Sequence, residues 1–498
     1  MIKIAKTEYG LVRGIPASDP RVISYKGIPF AAPPVGDLRW RAPQPAASWD
    51  GIKDCLEFAP ISMQPIPGLD TNNIYTREWN VDPEIPMSED CLYLNIWTPA
   101  VSTDDKLPVY VWYFGGGLQV GHTAEMEFDG ERLARRGIVV VTVNYRVNVF
   151  GFLAHPELSS RYPEAPTNFG NLDQQFGLQW TKRNIAAFGG DPNQITIGGQ
   201  SAGGGSVMTQ LNCPDNKDYI QGAIVESGVF YNPNRNPFVS TLADAEQKGV
   251  EFFKGLGVSS LDEARKLPAE LIRDYTEKNG WFWGTVVDGI FQKDSYWNNM
   301  LKGELLDVPM MLGYTNNEFY GFLENPSDPL TQEGYNTFWK NMKSLSVNPV
   351  KEEAGPSCEK INTVEMAIRM LCKRGEELGV QSPRYIYEFG PEIPGWDNPG
   401  AFHSSDLWFF FETLAKCWRP FTGKHYDLAR FMCNYWAEFI KNGNPDGKDA
   451  DGTEMPHWEA FSTEKSPVMM FYEKAELKEK PAAEGMQKLL ERNQIGAV

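Results

Sequence analysis

Residues 193–204 read NQITIGGQSAGG, an apolar run that ends in a serine flanked by four glycines. The run predicts a strand, and the residues from Ala202 to Leu211 predict a helix. Ser201 would then occupy a sharp turn between strand and helix, where small neighbours keep the turn clear of the sheet. Gly199 and Gly203 complete the pattern G-x-S-x-G, which is typical of an exposed, nucleophilic serine. On the pattern alone, a glycine-rich turn with a capping serine is about as good an interpretation as a nucleophilic serine.

The rest of the chain from Leu107 onward alternates short apolar runs with longer amphipathic stretches. Buried strands are predicted for LPVYVWYF, GIVVVTVNY, NQITIGG, GAIVESG, VPMMLGYT and RYIYEFG. Helices are predicted for residues 172–188 and 202–211. This order predicts an α/β fold whose central, mainly parallel sheet is covered by helices on both faces. Reactive groups of such a sheet gather beyond the carboxyl ends of its strands, which is where Ser201 falls.

Two long segments, residues 240–310 and 325–380, fit this alternation poorly. We expect them to be helical insertions that form a cap or gorge wall over the site. The chain contains no low-complexity run long enough to act as a linker between domains. A single domain over residues 1–498 is therefore expected.

The formal net charge of −18 comes from acidic residues that are dispersed along the chain. Such a surface repels phosphate backbones and anionic membranes, so neither nucleic acid nor a membrane is an expected partner. The first residues, MIKIAKTEYGLVRG, lack the apolar core and cleavage site of a secretory signal. No stretch approaches the roughly 20 apolar residues of a membrane span. We expect a cytoplasmic protein.

The seven cysteines are widely spread and include no C-x-x-C pair. This spacing indicates neither a zinc site nor a dense disulfide framework. Buried thiols that pack as small hydrophobic groups are the favoured interpretation.

A second glycine-rich segment, Phe114-Gly115-Gly116-Gly117-Leu118, directly follows the predicted strand VYVWYF. Successive glycines can present backbone N–H groups to an oxyanion, with no Cβ atom in the way. A plain turn is the alternative, but the position upstream of G-x-S-x-G favours the functional interpretation. The predicted donors are the N–H groups of Gly116, Gly117 and Ala202.

A serine hydroxyl needs a base, and the chain has five histidines. The order nucleophile, acid, histidine leaves His403, His425 and His457, of which only His403 lies in a predicted loop after a strand. We expect packing or surface roles for the other two. The acid must lie between serine and histidine, and Glu318 is favoured because it follows the strand VPMMLGYT. Asp288, in VVDG, is the alternative.

Longer segments give the chain a family resemblance. They are YKGIPFAAPPVGDLRWRAPQP at 25–45, SEDCLYLNIWTP at 88–99, NYRVNVFGFL at 144–153, DQQFGLQWTKRNIAAFGGDPNQITIGGQSAGG at 173–204, GYTNNEF at 313–319 and the segment AFHSSDLW. The chain resembles the type-B carboxylesterases, the cholinesterase-like branch of the α/β-hydrolases, and among them the microbial para-nitrobenzyl-esterase-like proteins. The resemblance implies an α/β-hydrolase fold, no metal or organic cofactor, and a serine carboxylesterase that acts through an acyl-enzyme. Its expected substrates are small uncharged esters with a bulky aryl or alkyl part.

The resemblance also implies roles for individual residues. Ser201 is the expected nucleophile, His403 the base and Glu318 the acid. The expected oxyanion hole consists of Gly116, Gly117 and Ala202. Further out, Ser227 matches a serine that supports the triad, and Arg39 and Glu89 match a structural ion pair.

Two positions depart from the family pattern. Gln200 stands where a glutamate usually precedes the nucleophile, which makes cationic choline-type substrates less favoured. Ser62 stands where the family's first disulfide has a cysteine, so Cys91 lacks its usual partner and a bond to Cys55 cannot be assumed. This loss favours a reducing compartment, in agreement with a cytoplasmic location.

The segment Trp281-Phe282-Trp283 resembles the family's acyl-pocket segment. An apolar or aromatic wall of the pocket is expected from Leu118, Trp281, Phe282, Trp283, Tyr320 and Trp408. For Tyr320 and Trp408, ordinary core packing is an equally good interpretation. Other possible functions are a lipase, a hydroxycinnamoyl (feruloyl-type) esterase and a catalytically silent binding protein. All three triad positions are filled, which argues against a catalytically silent binding protein.

Overall fold

The computed structural model describes residues 1–70, 73–230, 240–318, 362–483, 486–487 and 490. The strands in this part of the chain are β1 Ile4–Lys6, β2 Leu11–Arg13, β3 Ile15–Pro16, β4 Ile23–Pro29, β5 Ile52–Asp54, β6 Tyr93–Thr98, β7 Leu107–Tyr113, β8 Val139–Val143, β9 Gly190–Gln200, β10 Gly222–Glu226, β11 Ser240–Thr241, β12 Val286–Val287, β13 Met310–Thr315, β14 Arg384–Phe389, β15 Pro467–Phe471 and β16 Ala475–Glu479. The α-helices are α1 Ile74–Glu78, α2 Glu131–Ala134, α3 Asn148–Phe152, α4 Pro156–Arg161, α5 Phe169–Asn184, α6 Ala202–Leu211, α7 Leu242–Leu256, α8 Leu261–Ala264, α9 Ala269–Lys278, α10 Tyr296–Lys302, α11 Thr363–Glu377, α12 Leu407–Phe410 and α13 Gly423–Asn442.

The centre of the fold is an eleven-stranded sheet in the order β16-β15-β14-β13-β10-β9-β7-β8-β6-β4-β3. The strands from β15 to β8 in this order are parallel to one another, and the outer strands on both sides are antiparallel. Every strand predicted from an apolar run belongs to this parallel part, which confirms the predicted α/β class. The register pairs Gln200 with Glu226, so β9 and β10 end at the same edge of the sheet.

Helical layers cover both faces of the sheet. Consecutive strand residues point to opposite faces, and β7 shows what each face contacts. The Trp112 ring packs against Phe410 and Phe411, with ring centroids 5.4 and 5.1 Å away. The neighbouring Tyr113 hydroxyl donates to the carbonyl of Gln174 in α5, at 3.3 Å. Because both faces are covered, the central strands are mostly apolar, and β8 is buried at every position.

The structure contains both predicted helices, but α5 begins at Phe169, three residues before the predicted start. The helix α6 has the predicted bounds, and α5 ends at Asn184, after which residues 185–188 form a tighter 3₁₀ turn. About half of segment 240–310 is helical, in α7 to α10. Of segment 325–380, residues 325–361 lie outside the described residues, and the remainder contains α11. Within the described residues, no helix combines the length and apolarity needed to cross a bilayer.

The predicted ion pair links the N-terminal segment to the first insertion. Arg39 Nε lies 2.6 Å from Glu89 Oε1, and both side chains are largely buried. The same guanidinium donates to the carbonyls of Ala264 and Leu267, at 3.1 and 2.8 Å. One arginine therefore joins a loop after β4 to the end of α8.

All cysteines in the described part of the chain are free thiols. Cys91 is buried, its hydrogen-bond partners include the Ser62 side chain, and burial raises the pKa of its thiol. Cys55 is buried elsewhere, beside the carbonyl of Gly27. The serine therefore occupies the place next to Cys91 that a disulfide partner would need.

Candidate active site

Ser201 occupies a strained turn between β9 and α6. Its backbone has φ 55° and ψ −126°, a conformation that costs energy for any residue with a Cβ atom. The Ser201 N–H donates to the carbonyl of Glu226 at 2.8 Å, which holds the turn against the end of β10. A Cβ atom on Gly203 would lie 2.1 Å from the carbonyl oxygen of Tyr113. The glycine is thus needed because the backbones of α6 and β7 approach so closely.

His403 contacts both other members of the predicted triad. Its Nε2 lies 2.8 Å from Ser201 Oγ, and its Nδ1 is hydrogen-bonded to Glu318 Oε2. The loops that carry the acid and the histidine run side by side, because the His403 N–H donates to the Glu318 carbonyl at 2.9 Å. Both side chains are about 96% buried. The structure therefore brings the three predicted side chains into one hydrogen-bonded chain.

The Glu318 carboxylate is held by two further donors. Its Oε1 accepts from Ser227 Oγ at 2.6 Å and from the Thr315 N–H at 2.9 Å. One donor follows β10 and the other ends β13, so two neighbouring strands fix the orientation of the acid. Asp288 is engaged elsewhere, since its Oδ1 accepts from the N–H groups of Ile290 and Gln292. The geometry thus favours Glu318 over Asp288 as the partner of the histidine.

Two more buried carboxyl groups lie behind the triad, and sequence reasoning missed both. Asp406 Oδ2 accepts from the Tyr387 hydroxyl at 2.9 Å, and Glu226 Oε1 accepts from Trp436 Nε1 at 2.8 Å. Burial raises the pKa of the Glu226 and Asp406 carboxyls, that of Asp406 to about 7 with a further contribution from the charge of Glu318. The signal was available, because Glu226 precedes the supporting serine and Asp406 lies three residues after the histidine.

The predicted oxyanion loop lies directly against the Ser201 turn. A Cβ atom on Gly115 would lie 2.8 Å from the carbonyl oxygen of Gln200 and 3.2 Å from Ser201 Cβ. Gly116 has φ 103°, a conformation that favours glycine. Ala202 is the first residue of α6, so its N–H is one of those that a helix leaves without an internal partner. The glycine loop therefore lies beside the serine turn, and Ala202 directly follows the serine at the start of α6.

The predicted pocket residues have different surroundings. The Phe282 ring lies 3.9 Å from the position of a Cβ atom on Gly117, so it faces the glycine loop. The rings of Trp281 and Trp283 stack on each other with centroids 5.9 Å apart, and Trp283 is only 2% exposed. Leu118 is buried with φ 62°, and Trp408 is 1% exposed and donates through Nε1 to Glu78 Oε2 at 3.2 Å. Tyr320 lies outside the described residues.

Helix α1 adds residues that no motif had indicated. The Tyr75 hydroxyl donates to the carbonyl of His403 at 3.3 Å. Trp79 stacks on Tyr75 with ring centroids 5.5 Å apart. Glu78 is buried and forms an ion pair with Arg419 at 2.6 Å. The cluster of aromatic residues around an acidic one in IYTREW was the available sequence signal.

The residue before the serine also contacts the imidazole. Gln200 Nε2 lies 3.4 Å from His403 Nε2, and the Gln200 side chain is buried. A glutamate here would place a negative charge beside the serine, whereas the amide is neutral. This part of the site is therefore less suited to stabilising a cationic substrate group.

Comparison with known proteins identifies the family of this site. The model of the "Carboxylesterase family" matches residues 2–377 and 364–489. The chain belongs to the carboxylesterase family. This carboxylesterase is 31% identical to the para-nitrobenzyl esterase of Bacillus subtilis (strain 168), over 98% of each chain. It is also 31% identical to the cholinesterase of Mus musculus, over 95% of this chain and 84% of that protein.

Solved structures give the same assignment. A structure of a PNB esterase aligns with a TM-score of 0.78 and 28% identity, covering 98% of this chain and 100% of that one. A carboxylesterase of Geobacillus stearothermophilus aligns with a TM-score of 0.77 and 29% identity, over 97% of this chain and 99% of the other. The carboxylesterase thus has the α/β-hydrolase fold, and its reaction class is carboxylic ester hydrolysis.

Proposed function

We propose that Ser201, His403 and Glu318 form the catalytic triad and that Gly116, Gly117 and Ala202 form the oxyanion hole. The observation that carries the proposal is the hydrogen-bonded chain from Ser201 Oγ through the imidazole to the Glu318 carboxylate. Only a neutral imidazole with its proton on Nδ1 can donate to the carboxylate and accept from the serine at the same time. The acid thus holds the histidine in the tautomer that a general base requires.

In the acylation half of the reaction, Ser201 Oγ attacks the ester carbonyl carbon while its proton passes to His403 Nε2. Glu318 stabilises the imidazolium, and the three backbone N–H groups donate to the oxyanion of the tetrahedral intermediate. The C–O bond to the alcohol then breaks, and His403 returns the proton to the leaving oxygen. Water repeats these steps on the acyl-enzyme and releases the carboxylic acid and the free serine.

The proposed substrates are small uncharged esters with a bulky aryl or alkyl part. Gln200 supplies no negative charge for a cation, and Phe282 offers an apolar face to the glycine loop. The names of the relatives, which include a para-nitrobenzyl esterase, agree with an aromatic ester substrate.

We further propose that residues 1–498 form one domain whose helical insertions border the entrance to the site. The free thiols of Cys55 and Cys91 support a reducing compartment such as the cytoplasm.

The test is hydrolysis of p-nitrophenyl acetate, butyrate, octanoate and ferulate by the wild type and by Ser201→Ala. We expect kcat of the variant to fall by at least about 10⁴-fold, because the nucleophile is gone. Ser206→Ala removes another buried hydroxyl, which donates to the carbonyl of Ala202, and serves as the matched control. A fluorophosphonate probe should label the Ser201 peptide in the wild type and in the control, but not in Ser201→Ala. Equal activity of wild type and Ser201→Ala would refute the triad, and a ferulate preference would point to a hydroxycinnamoyl esterase.

A further inference from the structure

The side chain of Gln119 joins two segments that are distant in the sequence. Its Nε2 donates to the carbonyl of Gly117 at 2.9 Å and also to the carbonyl of Trp283. Its Oε1 accepts from the Trp283 N–H at 3.0 Å. The carboxamide thus pairs with both backbone polar groups of Trp283, as a neighbouring strand would. We call this set of hydrogen bonds the Gln119 link.

On the side of the glycine loop, Gln119 orients the backbone around Gly117. Its N–H donates to the Gly116 carbonyl at 3.0 Å, and the Val120 N–H donates to the same oxygen at 3.1 Å. The Gly116 carbonyl and the Gly117 N–H belong to one planar peptide unit, so holding the carbonyl orients the N–H. The side chain holds the next peptide unit through the Gly117 carbonyl. Gln119 therefore fixes the planes on both sides of Gly117.

On the opposite side, Lys248 of α7 holds the same aromatic segment. Its Nζ donates to the carbonyl of Phe282 and lies 4.6 Å from the centroid of the Trp283 ring. The segment Trp281–Trp283 is therefore attached to the glycine loop by Gln119 and to α7 by Lys248. Between these two attachments, the Phe282 ring faces Gly117.

We propose that Gln119 is a positioning residue that sets the width of the acyl pocket by fixing the distance between Phe282 and the oxyanion donors. The inference rests on the proposed function, because it takes Gly117 as a donor and Phe282 as a pocket wall. An acyl carbonyl bound by the donors directs its substituent toward Phe282, so this distance limits the size of the acyl group. Without the link, the aromatic segment can move away from the loop. The kcat/KM for esters of bulky acyl groups then rises relative to that for acetate esters, and the Gly117 N–H is oriented less well.

The test compares Gln119→Met, which keeps the length of the side chain but removes the amide, with the wild type on p-nitrophenyl acetate, butyrate and benzoate. We expect kcat for acetate to fall about tenfold while KM stays within about twofold. The reason is that one oxyanion donor, the Gly117 N–H, is no longer held in its orientation. The ratio of kcat/KM for benzoate to that for acetate should rise about tenfold. Because this ratio is taken within one preparation, a smaller folded fraction does not change it. Gln175→Met is the control, since Gln175 is half-buried and its side-chain amide donates to Asn216 Oδ1 at 2.9 Å.

A second variant, Lys248→Met, loosens the same segment from α7 and should raise the ratio in the same direction. In the double variant the two effects should not add, because both release one segment. This variant also tests the inference if Gln119→Met does not fold. An unchanged ratio in an active Gln119→Met or Lys248→Met would overturn the inference. Failure of the proposed function looks different, because Ser201→Ala would then hydrolyse the esters as fast as the wild type.

Discussion

The Ser227 hydroxyl offers the sharpest test of how the proposed catalytic acid, Glu318, is held. Ser227 is fully buried and donates to Glu318 Oε1 at 2.6 Å, while the only other donor that the structure describes to this oxygen is the Thr315 N–H. Ser227→Ala removes a hydrogen bond to a charged group, which is worth about 1.5–3 kcal/mol. If the acid needs this bond to stay aligned with the imidazolium, the loss appears in the transition state. We then expect kcat to fall about 10–100-fold.

The assay is steady-state hydrolysis of p-nitrophenyl butyrate, with KM expected to stay within about twofold because the Ser227 side chain is fully buried. Thr181→Ala is the matched control, since the Thr181 hydroxyl is equally buried but donates to the neutral carbonyl of Gly177, at 2.8 Å. Both variants should lose comparable stability in urea, and only Ser227→Ala should lose kcat. A folded Ser227→Ala with a kcat within twofold of the wild type would refute the argument that the hydroxyl positions Glu318.

Three further predictions concern stability. Gly203→Ala should abolish folding or activity, because its Cβ atom would lie 2.1 Å from the Tyr113 carbonyl oxygen. In contrast, the Cβ atom of Gly205→Ala would lie 3.9 Å from the Gly228 carbonyl oxygen, so the free energy of unfolding in urea should stay the same or rise by up to about 1 kcal/mol. Burial lowers the pKa of His122 to about 4 from its ordinary 6.5, so stability is lost as pH falls from 6.5 through 4. Urea unfolding should show that the free energy of unfolding of the neutral variant His122→Asn falls by up to about 3 kcal/mol less over that pH interval than that of the wild type. Identical pH profiles of the two proteins would contradict this. Arg39→Met should cost about 3–5 kcal/mol of unfolding free energy, because it leaves the largely buried Glu89 carboxylate without its ion-pair partner and removes a donor from the carbonyls of Ala264 and Leu267. A loss below about 1 kcal/mol in urea unfolding would show that the ion pair is not structural.

The sequence by itself determined the class of fold and the chemistry. Apolar runs such as VVVTV of β8 have no alternating polar residues, so they predict strands that are covered on both faces, and the structure confirms this. The pattern around Ser201 likewise depends on local sterics, because only glycine permits the close approach at Gly203. Such features are encoded within a few neighbouring residues, and a single sequence is enough to recognise them.

Only the tertiary structure decided which distant side chains meet. Glu318 and Asp288 were both possible acids in the sequence, and the choice follows from the parallel loops that bring Glu318 to His403. The Gln119 link spans residues 119 and 283, and Asp406 is buried beside Tyr387 only because β14 and the histidine loop pack together. These contacts depend on how the strands are ordered and how the loops fold back over the sheet. Local patterns in the chain do not contain that information, because the free energy of each contact comes from burial among residues far apart in the sequence.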